Sequence, residues 1–154
     1  MFRGNTAVNL DEKNRFAIPT RYRDRVRDIC ACQLIATVAV DENYAGIQGC
    51  LWFYPKPEFE RVENEILQMP SSEVGVFLRR FLIGYASDCE MDSQGRILIP
   101  ESLRTIANLD KKIELVGQSN RLEIWSANEW ANRVAKFYQG PSAGASLDSV
   151  GISF

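Results

Sequence analysis

Histidine is absent from the 154-residue chain. That excludes imidazole acid–base catalysis, Ser-His and Cys-His nucleophile pairs, and histidine-ligated metal sites. No apolar run reaches the roughly 18 residues that a membrane-spanning helix needs, so no membrane partner is expected. The opening MFRGNTAVNL has no apolar signal core, and secretion is not expected. Cysteine is sparse: Cys30, Cys32, Cys50 and Cys89. Only the first two lie close together, whereas a zinc site usually draws on two close pairs. The four are expected as reduced, buried or half-buried thiols of a cytosolic protein. A hydrophobic fraction of 45% and a charged fraction of 25% fit one ordinary globular domain, or two small ones in contact.

Net charge is only −2, but it is unevenly placed. Residues 1–27 hold seven basic groups (Arg3, Lys13, Arg15, Arg21, Arg23, Arg25, Arg27) against Asp11, Glu12 and Asp24, a local +4. The rest of the chain holds eleven basic and seventeen acidic groups, a net −6. A basic end on an acidic body concentrates positive potential where a polyanion could bind. A solvated helix face is the plainer explanation of the same charges.

The chain also repeats itself. Leu10-Asp11-Glu12-Lys13-Asn14-Arg15-Phe16-Ala17-Ile18-Pro19 recurs 81 residues later as Met91-Asp92-Ser93-Gln94-Gly95-Arg96-Ile97-Leu98-Ile99-Pro100, and Arg23 matches Arg104. Leu51-Trp52-Phe53-Tyr54, followed by Glu58-Phe59, recurs 71 residues later as Leu122-Glu123-Ile124-Trp125, followed by Glu129-Trp130. The first copy is therefore ten residues longer, an excess assigned to the Asp41–Gly49 loop. Two copies are too few for a solenoid, so a pseudo-twofold pair is expected.

Each copy reads as strand, tight turn, strand and helix. Thr6–Leu10 alternates and ends at Asp11, whose carboxylate can accept from backbone N–H groups two or three residues on. The residue before the arginine is Asn14 in one copy and Gly95 in the other, the two types best suited to positive φ. Phe16–Ile18 forms the next strand, and Pro19 or Pro100 ends it and opens a helix. Helix Thr20–Ile29 places Tyr22, Val26 and Ile29 on one face, and Glu101–Asn108 places Leu103 and Ala107 there. Strand pairs Gln33–Val40 with Cys50–Tyr54, and Lys112–Val116 with Arg121–Trp125, follow. Helices are expected over Pro57–Gln68, Glu73–Gly84 and Ala127–Tyr138. Gly140–Phe154, rich in Gly, Ser and Ala, is expected as a flexible tail.

The doubled D-x-x-x-R unit, with proline four residues past the arginine, resembles the MraZ family of bacterial transcription regulators. MFRG, N-L-D-x-K-x-R, I-P-T-R-Y-R, L-I-G-Y-A-S-D-C-E-M-D, G-R-I-L-I-P and L-V-G-Q-x-N stand in order across about residues 1–135. No one of these motifs is specific alone; their order is. The resemblance implies an α+β fold of two pseudo-symmetric SpoVT-AbrB-like swapped-hairpin β-barrel half-units packed with short helices. The division is residues 1–80, residues 81–139 and the tail 140–154. It further implies a ring homo-oligomer that binds short direct repeats in double-stranded promoter DNA. Such a protein regulates, and usually represses, its own operon, the division and cell wall gene cluster, and is cytoplasmic and nucleoid-associated. The implied DNA contacts are Arg15 first, then Lys13 and Arg3, with Arg21 and Arg23 as phosphate partners. Asn14 departs from the glycine of many relatives, a mild change at a positive-φ position. No cofactor and no catalytic residue are expected.

Charge separates the two arginines. Residues 82–108 carry Arg96 and Arg104 against Asp88, Glu90, Asp92 and Glu101, a net −2. The equivalents of Lys13, Arg21, Arg25 and Arg27 are Gln94, Ser102, Ile106 and Asn108. Arg15 is therefore read as the DNA residue, and Asp11, Asn14, Asp92, Gly95 and Arg96 as residues that build the turns. Trp52, Phe59, Trp125 and Trp130 are read as core or subunit contacts rather than a base-stacking platform. Two rival functions are weighed. A carboxylate enzyme lacks any paired acid motif beyond the repeat. An antitoxin-like interaction module of the AbrB type usually has one copy of the unit rather than two.

Overall fold

The computed structural model describes residues 1–40, 47–140 and 150–153. Strands β1 (Asn5–Asn9) and β2 (Arg15–Ala17) precede helix α1 (Thr20–Cys30), and β3 (Gln33–Val40) and β4 (Ile47–Pro55) precede α2 (Lys56–Gln68). Helix α3 (Glu73–Leu78) runs into a π-helical turn, Arg79–Ile83. The second copy follows as β5 (Ser87–Glu90), β6 (Arg96–Leu98), α4 (Glu101–Ile106), β7 (Lys112–Gly117), β8 (Leu122–Ser126) and α5 (Ala127–Phe137). The fold is α+β: a six-stranded antiparallel sheet in the order β1-β7-β8-β4-β3-β5, a two-stranded ribbon β2-β6, and short helices.

The two copies interleave. β1 pairs with β7, β5 pairs with β3, and β2 pairs with β6, so the first two strands of each copy bond to strands of the other. One core serves both. It packs Phe16, Ile18, Val26, Leu34 and Phe53 with Ile97, Ile99, Leu103, Ile113 and Ile124. A second apolar cluster lies on the opposite sheet face, where Phe59, Ile66, Leu78 and Leu82 cover Ile35 and Tyr54. The N-terminus is built into the sheet. Phe2 is buried edge-to-face on Tyr22, with ring centroids 5.3 Å apart, and exchanges backbone hydrogen bonds with Ser119. Gly117 has to be glycine here, because a Cβ would fall 2.6 Å from the Phe2–Arg3 backbone.

Three expectations are corrected. In α1 the buried positions are Tyr22, Val26 and Cys30, and Ile29 is 40% exposed. The inward row runs at four-residue steps, Tyr22, Val26 and Cys30, which leaves Ile29 at the edge of that face. The helix expected over 73–84 is regular only to Leu78. Beyond it the coil widens and Gly84 N–H donates to the Arg79 carbonyl at 2.9 Å, an i to i+5 bond. β4 begins at Ile47, inside the expected loop, and residues 41–46 of that loop lie outside the described residues. So do residues 141–149 and 154 of the expected tail. Cys30, Cys50 and Cys89 are buried and Cys32 is half-buried, all as free thiols. Burial pushes the Cys89 thiol up to about 11.

Candidate nucleic-acid interface

The first turn is held by one carboxylate. Asp11 Oδ1 accepts from the backbone N–H of Lys13 and of Arg15, each at 2.9 Å, and Oδ2 accepts from Arg15 Nε at 2.9 Å. Asn14 adopts φ 61°, the left-handed region foreseen for it. Backbone bonds from Asp11 N–H to Arg15 O and from Asn14 N–H to Asp11 O close the loop. The Arg15 backbone N–H, foremost, with the Arg15 guanidinium and the Lys13 N–H, holds the Asp11 carboxyl below its ordinary value.

The second turn repeats this. Asp92 accepts from Gln94 N–H at 2.9 Å, Arg96 N–H at 2.8 Å and Arg96 Nε at 2.8 Å, and Gly95 has φ 77°. Its carboxyl is lowered by the same causes, the Arg96 backbone N–H first. The turns are also tied crosswise. Ile18 N–H donates to Gly95 O at 2.8 Å, and Ile99 N–H donates to Asn14 O at 3.1 Å.

In both arginines the Nε is committed to the turn. Neither Nη group of Arg15 or of Arg96 has a hydrogen-bond partner among the described residues. Each turn therefore presents the outer half of a planar, permanently charged fork, oriented in advance by its own aspartate. Such a fork matches guanine O6/N7 or a phosphate. The ion pair with Asp92, expected from the sequence, is present, but Arg15 makes the same pair with Asp11. Pairing therefore does not distinguish the two. The ribbon register brings them together: Arg15 lies opposite Leu98 and Arg96 opposite Ala17. Phe16 and Ile97 point into the core, so Arg15, Ala17, Arg96 and Leu98 share the outward face.

The remaining expected residues are placed as follows. Lys13 and Arg3 are exposed. Arg21 is pinned, its Nη2 donating to Thr6 Oγ1 at 2.7 Å and to the Tyr22 hydroxyl at 3.1 Å. Tyr22 in turn donates to the Arg3 carbonyl. Arg23 Nε donates to Ile18 O at 2.9 Å, and its repeat partner Arg104 donates through Nη1 to Ile99 O at 2.7 Å. Arg23 also crosses Gly95, where a side chain would collide with its guanidinium. An arginine of the first copy thus lies on the turn of the second, which the net −2 of residues 82–108 conceals. Sequence reasoning passed over Leu98. It is 54% exposed on the arginine face of the ribbon, and the alternation Arg96-Ile97-Leu98 was the available signal. Of the aromatics, Phe59 and Trp125 are buried and Trp52 and Trp130 are half-buried.

Comparison with known proteins places this geometry in a lineage. Residues 1–75 and 82–147 match the family described as "MraZ protein, putative antitoxin-like". The chain is 47% identical over 131 residues to the transcriptional regulator MraZ of Methylococcus capsulatus, covering 84% of this chain and 82% of that protein. It is 47% identical over 131 residues to that of Thioalkalivibrio sulfidiphilus, covering 84% and 83%. It is 44% identical over 137 residues to that of Haemophilus influenzae, covering 88% and 87%.

Proposed function

The chain belongs to the MraZ family, and from that premise we propose that it is a sequence-specific, DNA-binding transcriptional regulator. It represses its own operon, the division and cell wall gene cluster, by binding short direct repeats in the promoter, in the cytoplasm and on the nucleoid. The copies 1–80 and 81–139 are SpoVT-AbrB-like half-units whose hairpins are exchanged, a reading supported by the pairing of β1 with β7 and of β5 with β3. The observation that carries the proposal is the fork of Arg15, buttressed by Asp11 and without a hydrogen-bond partner at either Nη group among the described residues. Arg15 reads a base edge in the major groove. Lys13 and Arg3 contact phosphates, joined by the unengaged parts of Arg21 and Arg23.

One short turn reads little sequence, whereas a specific operator needs roughly 4–10 kcal/mol of discrimination. A ring that presents the same turn to successive DNA boxes multiplies the contact without a new one. The experiment is nuclease footprinting of the protein on the DNA upstream of its own coding sequence. A periodic set of protected boxes is expected; uniform cleavage at saturating protein would refute the reading. The family description also favours a second reading, an antitoxin-like module. A pull-down that recovers a stoichiometric small toxin in place of promoter DNA would select it.

A further inference from the structure

The ribbon β2-β6 carries an apolar side chain where a solvated strand would carry a polar one. Leu98 is 54% exposed, and its cross-strand partner is Arg15. Side chains directly opposite on one face of an antiparallel pair stand about 4.5–5.5 Å apart at Cβ. Leu98 therefore flanks the Arg15 fork. It cannot turn inward, because Ile97 already fills the core position of that strand with 1% exposure. The first copy has Ala17 at the equivalent place, opposite Arg96. The outward face thus bears two unlike pairs, Arg15 with Leu98 and Arg96 with Ala17.

An arginine beside an exposed aliphatic chain is a combination suited to the major groove. There guanine offers two acceptors, and thymine offers a methyl group that rewards apolar contact. Lysine or arginine at position 98 would add phosphate attraction but could not discriminate a methyl group.

We propose that Leu98, from the second repeat, is a specificity-determining residue that packs on the C5-methyl of a thymine next to the base read by Arg15. The inference rests on the DNA-binding reading above and adds that the second repeat supplies half of the base-reading face. Arg96, on the same face, stands over the adjoining backbone or base. The longer Leu98 side chain makes the two ends of the ribbon unequal, which gives one chain a direction on a directly repeated site.

The test uses full-length protein and the footprinted promoter segment. Thymines in one protected box are replaced one at a time by deoxyuridine, which removes only the methyl group. Binding is read by fluorescence anisotropy for wild type and for Leu98→Ala. Burial of one methyl is worth about fourfold in affinity per box. Wild type should lose about that factor at one thymine of that box. Leu98→Ala should start weaker on thymine DNA and show no further loss on deoxyuridine DNA. Its oligomeric mass and melting temperature should match wild type, since the side chain is exposed.

Three results would overturn the proposal. One is indifference of the wild type to deoxyuridine throughout a protected box. Another is an equal loss in Leu98→Ala. The third is a reduced oligomeric mass in Leu98→Ala, which would make Leu98 a subunit contact. Absence of any footprint would instead remove the DNA-binding reading itself.

Discussion

Arg15 is oriented before any ligand arrives. Its Nε is spent on Asp11, and Asp11 is fixed by two backbone N–H groups, so little rotamer freedom is left to lose on binding. Arg15→Ala is expected to lose about 1–3 kcal/mol per engaged box, enough to abolish measurable promoter binding once several boxes are engaged. Arg15→Lys should retain salt-sensitive binding to any duplex but not the preference for the promoter, since an ammonium ion is a point charge without a fork. Anisotropy titrations on promoter and scrambled duplexes check both. Arg96→Ala should weaken binding less than Arg15→Ala, because Gln94 stands where the first turn has Lys13. An Arg96→Ala loss equal to that of Arg15→Ala would show that the two turns contribute alike.

Both aspartates also give the turns a pH limit. Their carboxyls lie below the ordinary 3.8 in the folded chain. A depressed folded pKa adds stability that is present above the unfolded value and is lost as pH falls through the folded one. Melting temperature should therefore be insensitive to these groups at neutral pH and fall below about pH 3.8. The Asp11→Asn, Asp92→Asn double variant should show a shallower acid limb. An acid limb as steep as that of wild type would show that the turns do not couple to global folding.

At the level of elements, much of this arrangement is legible in the sequence, because the repeat and the alternation are local. The two D-x-x-x-R turns, their positive-φ residues and the proline-started helices follow from residue chemistry within a few positions. The exchange of strands between copies does not. β1 carries the same pattern whether it pairs with β3 or with β7, and only packing of both copies into one core decides. The same limit hid the position of Arg23 on Gly95, a contact 72 residues apart in the chain. The polar cluster on the far sheet face is another long-range product. Glu123, 9% exposed, accepts from Trp52 Nε1 at 3.0 Å, Trp125 Nε1 at 3.3 Å and Gln118 Nε2 at 3.4 Å. Arg121 stacks over Trp52, 4.2 Å from its ring centroid. Glu123→Ala would leave two indole N–H groups without their acceptor and should cost about 1–3 kcal/mol. Glu123→Gln, which keeps an acceptor oxygen, should cost less. Urea denaturation followed by tryptophan emission checks both, since two of the three tryptophans report on the cluster directly. A Glu123→Ala midpoint equal to wild type would mean that water replaces the carboxylate at no cost.

On the scale of the whole molecule, an acidic protein that binds DNA must confine its attraction to one surface and repeat it. A single subunit with net charge −2 gains little from long-range steering. Its basic N-terminal segment gains more when several copies meet one duplex together. Light scattering should accordingly give a mass several-fold above 17.5 kDa. The salt dependence then tests whether those copies act together. Each neutralised phosphate contributes about −0.9 to the slope of log K against log salt. On a fragment with one box, the slope should count the phosphates reached by one subunit, those of Lys13, Arg3 and their neighbours. On fragments with two or more boxes it should steepen in near-equal increments, as further subunits of the proposed ring engage. Lys13→Ala should reduce each increment by about 0.9, one phosphate per box. Equal slopes on one-box and multi-box fragments would mean that a single subunit does all the binding, and the repeated turns would then need another explanation.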